Sequence, residues 1–123
     1  NKMASKYGRN AFTVQEAVNS QAFNDYYVLE QTLTTAYQTI FDSSVAGNPA
    51  KQIVLTNSGA AVIDTTDVIS VVLNNEDDTD ATKTILIGGG HLPFTIDGML
   101  ITKVEVKNSE VDANEELACI AFM

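Results

Sequence analysis

The stretch Thr84–Lys107, TILIGGGHLPFTIDGMLITKVEVK, decides the fold class. Over Leu100–Lys107, the side chains of Leu100, Thr102, Val104 and Val106 share one face, while Ile101, Lys103, Glu105 and Lys107 share the other. A period of two with one apolar and one polar face is the pattern of a β-strand with one side in water. Upstream, Leu92, Phe94 and Ile96 alternate with Pro93, Thr95 and Asp97. Pro93 has no amide proton to give a ladder, which places it at a strand start or on a sheet edge. Gly88-Gly89-Gly90 and Asp97-Gly98 are turn signals that divide the segment into strands over 84–87, 92–96 and 100–107. These gaps are too short for the helical crossover that a parallel sheet needs.

The same reading extends outward. Ala36–Phe41, Gln52–Asn57, Val68–Leu73 and Leu117–Phe122 are further strand candidates, separated by Asp42-Ser43-Ser44, Gly47-Asn48-Pro49, Asn57-Ser58-Gly59, Asn74–Asp80 and Asn108–Asn114. About seven short strands at this spacing predict an all-β domain over residues 35–123, an antiparallel β-sandwich of jelly-roll-like type. Val68–Leu73 and Leu117–Met123 are apolar on both faces, so each requires cover from the second sheet and from something else. Residues 1–34 read as an N-terminal arm, extended or carrying one short helix, and ordered by partner contacts. Thr13 and Glu16 have the spacing of a capping box, with Val14, Ala17, Val18, Ala22 and Tyr26 on one stripe that Leu29 continues. Asn19, Ser20, Asn24 and Asp25 are poor helix formers and leave the extended form open.

Composition narrows the function classes. The chain has 123 residues, a net charge of −9, one cysteine and no tryptophan. That length suits one domain that buries about two thirds of its unfolded surface. A lone cysteine excludes an internal disulfide framework and a thiolate-rich zinc site. No apolar run reaches the ~20 residues that cross a bilayer as a helix, so a membrane partner is not expected. Lys2, Lys6 and Arg9 put +3 in the first ten residues and leave −12 over the other 113. An acidic body of this kind disfavours nucleic acid, whose phosphates call for clustered cations. A basic arm on such a body instead suits an acidic protein surface.

No catalytic constellation emerges, and the chain is read as a non-enzyme without a cofactor. His91 is the single histidine, and Cys119 sits in an apolar strand where a thiol is inert. Gly88-Gly89-Gly90 lacks the lysine and the following helix of a phosphate loop and reads as a bulged turn. Asp64, Asp67 and Asp97 stand where turns favour aspartate, not in a spacing that demands a glycosidase pair. In the acidic run Glu76–Asp80, Asp78 and Asp80 alternate as in calcium loops and are the weak metal candidates, while the glycine and distal glutamate of such loops are missing. Glu115 and Glu116, with Asp112, form a second acidic run, which would share a cation with the first if both lay at one end of the sandwich. The residues expected to bind partners are Lys2, Lys6, Tyr7, Arg9, Phe23, Tyr26, Tyr27 and Phe122: three cations for steering and five aromatics for anchoring.

The order LTTAYQTIFDSS (33–44), KQIVLTNSGAAVIDTTDVISVVLNN (51–75), TILIGGGHLPFTIDGMLITKVEVKN (84–108) and a terminal apolar strand resembles the small β-sandwich virion proteins of tailed bacteriophages, which decorate capsids or complete heads and tails. Tyr37, Ile40 and Phe41 match the opening of the first strand in such proteins and Ile53–Gly59 the second strand and its turn, while a segment of the form I-x-x-G-x-L-x-I precedes the strand that corresponds here to LITKVEVKN. The resemblance covers residues 32–123. It implies a virion structural protein, a decoration or cement protein that binds and stabilises a capsid or tail lattice, with other virion proteins and copies of itself as partners. The alternative class is a soluble carbohydrate- or calcium-dependent adhesion module. A fibre-subunit variant of the first reading expects that removing residues 1–34 leaves the sandwich folded.

Overall fold

A computed structural model describes residues 25–59, 62–109 and 115–123. Eight strands form two antiparallel sheets. They are β1 (Tyr26–Thr32), β2 (Gln38–Asp42), β3 (Ala50–Asn57), β4 (Val68–Leu73), β5 (Thr84–Gly88), β6 (Phe94–Ile101), β7 (Lys103–Asn108) and β8 (Glu116–Phe122). A four-residue helix, α1 (Ser43–Ala46), joins β2 to β3, and single 3-10 turns span Ala81–Lys83 and Gly89–His91. Sheet A has the order β1-β8-β3-β6 and sheet B the order β2-β7-β4-β5. β1 pairs with β8, β2 with β7, β3 with β6 and β4 with β5. One long antiparallel ribbon is thus folded over itself, the pairing of a jelly roll.

The alternation of side chains fills the space between the sheets. Ile53 and Leu55 of β3, Ile69 and Val71 of β4, Val104 and Val106 of β7, and Leu117, Cys119 and Ala121 of β8 are all fully buried. Phe41 and Ile101 close the core toward one end, and Ile63 and Leu33 toward the other. β6 lies at the edge of sheet A and starts directly after Pro93, where the missing amide proton costs no ladder bond.

The seven expected strands are all present, with three differences. The first is β1, which lies inside the stretch read as an arm. Tyr26 and Leu29 are not on a helical stripe: Tyr26–Thr32 pairs residue for residue with Phe122–Glu116. Tyr-Tyr-Val is β-forming, and the ladder edge of β8 satisfies its backbone groups, which outweighs a loose 3.6-residue pattern. The sandwich therefore includes residues from Tyr26 onward, and Leu33 next to β1 is a core residue. The capping box and its stripe over 13–22 lie outside the described residues.

The second difference concerns Asp97-Gly98, which does not end a strand. Gly98 takes a φ of +80° within β6, and the register with β3 shifts there, so Gly98, Met99 and Leu100 bulge opposite Lys51. The chain turns at Thr102, whose amide and hydroxyl donate to Asn74 Oδ1 at 2.7 and 3.1 Å and whose carbonyl accepts from the Ser43 amide at 2.8 Å. This corner breaks the expected alternation. Ile101 faces the core on β6 and Val104 faces it on β7, whereas Leu100 is 59% exposed. Third, the acidic run Glu76–Asp80 and Glu115 lie at opposite ends of the sandwich, while Asp112 lies outside the described residues. The 74–83 loop adjoins the β6–β7 corner, and Glu115 meets Leu33 and Asp64 at the far end.

Candidate functional site

Among the described residues, the strand order collects residues 33–37, 58–59, 62–67, 89–93, 109 and 115 at one end. There the sequence puts polar residues at strand ends, and four of them interlock. Asp64 to Asp67 forms a turn closed by the Asp67 amide on the Asp64 carbonyl at 3.1 Å, which sets Asp67 just ahead of β4. Asn108 ends β7 opposite Ile69, and Glu115 leads into β8. The Asn108 side-chain amide donates to Asp67 Oδ2 at 3.0 Å and to Glu115 Oε1 at 2.7 Å. Glu115 Oε2 accepts from the Asp64 amide at 3.0 Å, and the Glu115 carbonyl accepts from the Leu33 amide at 2.9 Å. Nearby, Asn57 Oδ1 accepts from the Ile63 amide and Glu116 Oε1 accepts from the Ser58 hydroxyl.

Asp67, Asn108 and Glu115 are all buried. Carboxylates enter a core only when hydrogen-bonded, and this amide serves two of them at once. Gly89 is part of the same knot. Its amide donates to the Asp67 carbonyl at 2.8 Å, and a Cβ at this position would stand 2.1 Å from the Asp64 carbonyl oxygen. The glycine run thus provides a close backbone approach, which a bulged turn alone does not describe.

Asp64, Asp67 and Glu115 each bring a carboxylate oxygen within 4.8 Å of the others, the one such group among the described residues. Calcium takes six to eight oxygens, so this set would supply part of a shell. Its buried members already serve as acceptors that tie β4, β7 and β8 together. The sequence-expected metal residues have another role. Asp80 Oδ1 accepts from the amide and hydroxyl of Thr82 and caps the 3-10 turn, while neighbouring Asp77 does the same for Thr79. Those bonds to the charged form hold both carboxyls below the usual range. Asp78 is exposed beside them. Neither Asp78 nor Asp80 belongs to the carboxylate group at the far end.

Of the expected partner-binding residues, Lys2, Lys6, Tyr7, Arg9 and Phe23 lie outside the described residues. Of the other three, Tyr26 and Phe122 come together. Tyr26 on β1 faces Phe122 on β8, with ring centroids 6.4 Å apart, and Tyr27 follows on the opposite face of β1. Tyr26, Tyr27 and Val28 are all exposed. Where β1 and β2 border the sandwich, the sheets part into an apolar cleft of about 180 Å³ lined by Tyr27, Leu29, Ile40, Phe41, Val45 and Ala46. Val45, on α1, is 81% exposed. His91 is exposed, and Cys119 is buried with its thiol pushed up to about 12 by desolvation, so the two do not form a nucleophile and base.

Sequence reading missed Asn108 and the meeting of Asp67 with Glu115. The available signal was positional: Asp67 and Asn108 flank apolar strands that pair, and an antiparallel partner brings the start of one strand to the end of the other. Asp97 is exposed on β6 and is not part of the carboxylate group of Asp64, Asp67 and Glu115. No family model, curated protein or solved structure matches the chain.

Proposed function

We propose that this chain is a non-enzymatic structural protein of a phage virion, a decoration or cement protein that binds and stabilises a capsid or tail lattice. The observation that carries the reading is an eight-strand jelly roll whose β1 edge presents Tyr26, Tyr27 and Val28 to solvent beside an apolar cleft. Jelly rolls serve in viral capsids and also in lectins and cupins, so the fold alone does not choose among them. The apolar edge favours a macromolecular partner, because exposed aromatic clusters at a rigid edge are protein anchors. Repeated weak contacts on a lattice would add through avidity.

The competing reading is a cation-dependent adhesion module. Its ligands would be Asp64, Asp67 and Glu115, and the carboxylates of Asp67 and Glu115 already hold the loop knot. Calcium is therefore expected to leave the melting temperature unchanged. Stabilisation of about 2.7 kcal/mol at a hundredfold excess over a dissociation constant would favour the adhesion module instead. The reading itself is tested by adding the purified, fluorescently labelled chain to phage particles lacking it. Saturable binding at a fixed ratio to the major lattice protein is expected, and failure to bind particles of any stage would overturn it.

A further inference from the structure

We propose that β1 is a self-pairing edge, through which two copies of this chain join their A sheets antiparallel about a two-fold axis at Leu29. This inference rests on the reading of the chain as an assembling structural module and names the partner of its exposed edge.

The backbone geometry selects the residues. Asp25 and Met123 exchange backbone hydrogen bonds at 2.9 and 3.4 Å, and the Leu33 amide donates to the Glu115 carbonyl at 2.9 Å. In an antiparallel ladder bonded and non-bonded pairs alternate, so Tyr27, Leu29 and Gln31 bond toward β8, while Tyr26, Val28, Glu30 and Thr32 turn their backbone groups to the open side. The ends of that open row are closed by side chains: Asp25 Oδ1 accepts from the Tyr26 amide at 2.8 Å, and the Gln31 side-chain amide donates to the Thr32 carbonyl at 3.2 Å. Among the described residues, no other strand takes the open side of β1. Val28 and Glu30 thus have both of their edge groups directed outward, in the centre of an otherwise capped strand.

The other three edges carry devices that discourage pairing. β2 shifts register between Thr39 and Phe41, β6 bulges at Gly98 after a proline start, and β5 has five residues and runs into glycines. β1 keeps an unbroken register over all seven of its residues.

Charge fixes the register. Only one residue of β1, Glu30, is charged. Pairing centred on Leu29 sets each Val28 opposite the other copy's Glu30 and yields about four backbone hydrogen bonds from two bonded pairs. Pairing centred on Glu30 would oppose two carboxylates, and pairing centred on Val28 would set Glu30 against the capped amide of Tyr26. In the Leu29 register the B sheets of both copies lie on one side, and Tyr27, which lines the β1–β2 cleft, stands opposite Gln31 of the other copy. A strand edge about 24 Å long buries less than the roughly 800 Å² per partner of a standard interface, so the dimer is expected at micromolar concentrations and above.

The test is sedimentation equilibrium of the full chain over roughly 5 to 500 μM, compared with three variants. The Val28 amide points away from β8, so Val28→Pro keeps the intramolecular ladder and the melting temperature and is expected to remain at the monomer mass of 13.2 kDa. Val28→Glu opposes Glu30 of the other copy twice and is expected to weaken association about tenfold, and Val28→Glu/Glu30→Val restores it. A wild-type chain that stays monomeric throughout overturns the inference. So does association that Val28→Pro and Val28→Glu leave unchanged. Neither result bears on particle binding, which separates failure of this edge from failure of the lattice reading.

Discussion

Replacing Asn108 with alanine removes one amide that serves two buried carboxylates, and the structure sets the size of the effect. The lost bonds run to Asp67 Oδ2 at 3.0 Å and to Glu115 Oε1 at 2.7 Å. Hydrogen bonds to charged groups contribute about 1.5–3 kcal/mol each, and the two share one donor group, so a total near 3–5 kcal/mol is expected. For a domain of this size that lowers the melting temperature by roughly 10–20 °C. Asn108→Asp should cost more, because it substitutes a third acceptor among carboxylates for the donor. The assay is urea unfolding followed by far-UV circular dichroism at neutral pH, with midpoints compared at constant m. A loss under about 1 kcal/mol for Asn108→Ala would refute the view that the knot holds the β3–β4 loop to β7 and β8.

Four further outcomes follow from the same geometry. Gly89→Ala forces a Cβ against the Asp64 carbonyl at 2.1 Å and is expected to destabilise by about 1–3 kcal/mol or more, read by the same unfolding assay. Cys119, with its thiol raised to about 12 by burial, should resist a disulfide reagent at pH 8 in the folded chain and react fully in denaturant. The carboxyls of Asp42, Asp77 and Asp80 are held below their ordinary value by hydrogen bonds from Ser44, Thr79 and Thr82, so their contribution is complete above about pH 4 and is lost as the pH falls through their depressed folded values. Urea midpoints should fall on acidification, less so in Asp42→Asn. Deleting residues 1–34 removes β1 and Leu33 and is expected to abolish cooperative unfolding, contrary to the expectation that the sandwich survives this cut.

The architecture was legible in the sequence because the period-two pattern is local. Val104 and Val106 alternate with charged neighbours, and Pro93 marks an edge, so these strands are recognisable without their partners. β1 was not legible, because Tyr26–Thr32 gains its strand character from the ladder of β8, whose sequence lies some ninety residues away. A loose helical stripe through Tyr26 and Leu29 competed with it locally. Gly98 was ambiguous for a related reason: glycine at positive φ marks a reversal or a bulge, and only the pairing with Ala50–Gln52 decides which. The site was legible in its parts but not in its grouping. Asp67, Asn108 and Glu115 each stand at a strand end, where polar residues are ordinary, and only the jelly-roll order brings those ends together.

Quantitative mass spectrometry of gradient-purified phage particles is the sharpest test of the proposed membership in a particle lattice. The chain is expected in the particles at a fixed copy number relative to the major lattice protein, retained through repeated sedimentation. A chain found only in the soluble fraction, with the particles complete without it, would contradict the account.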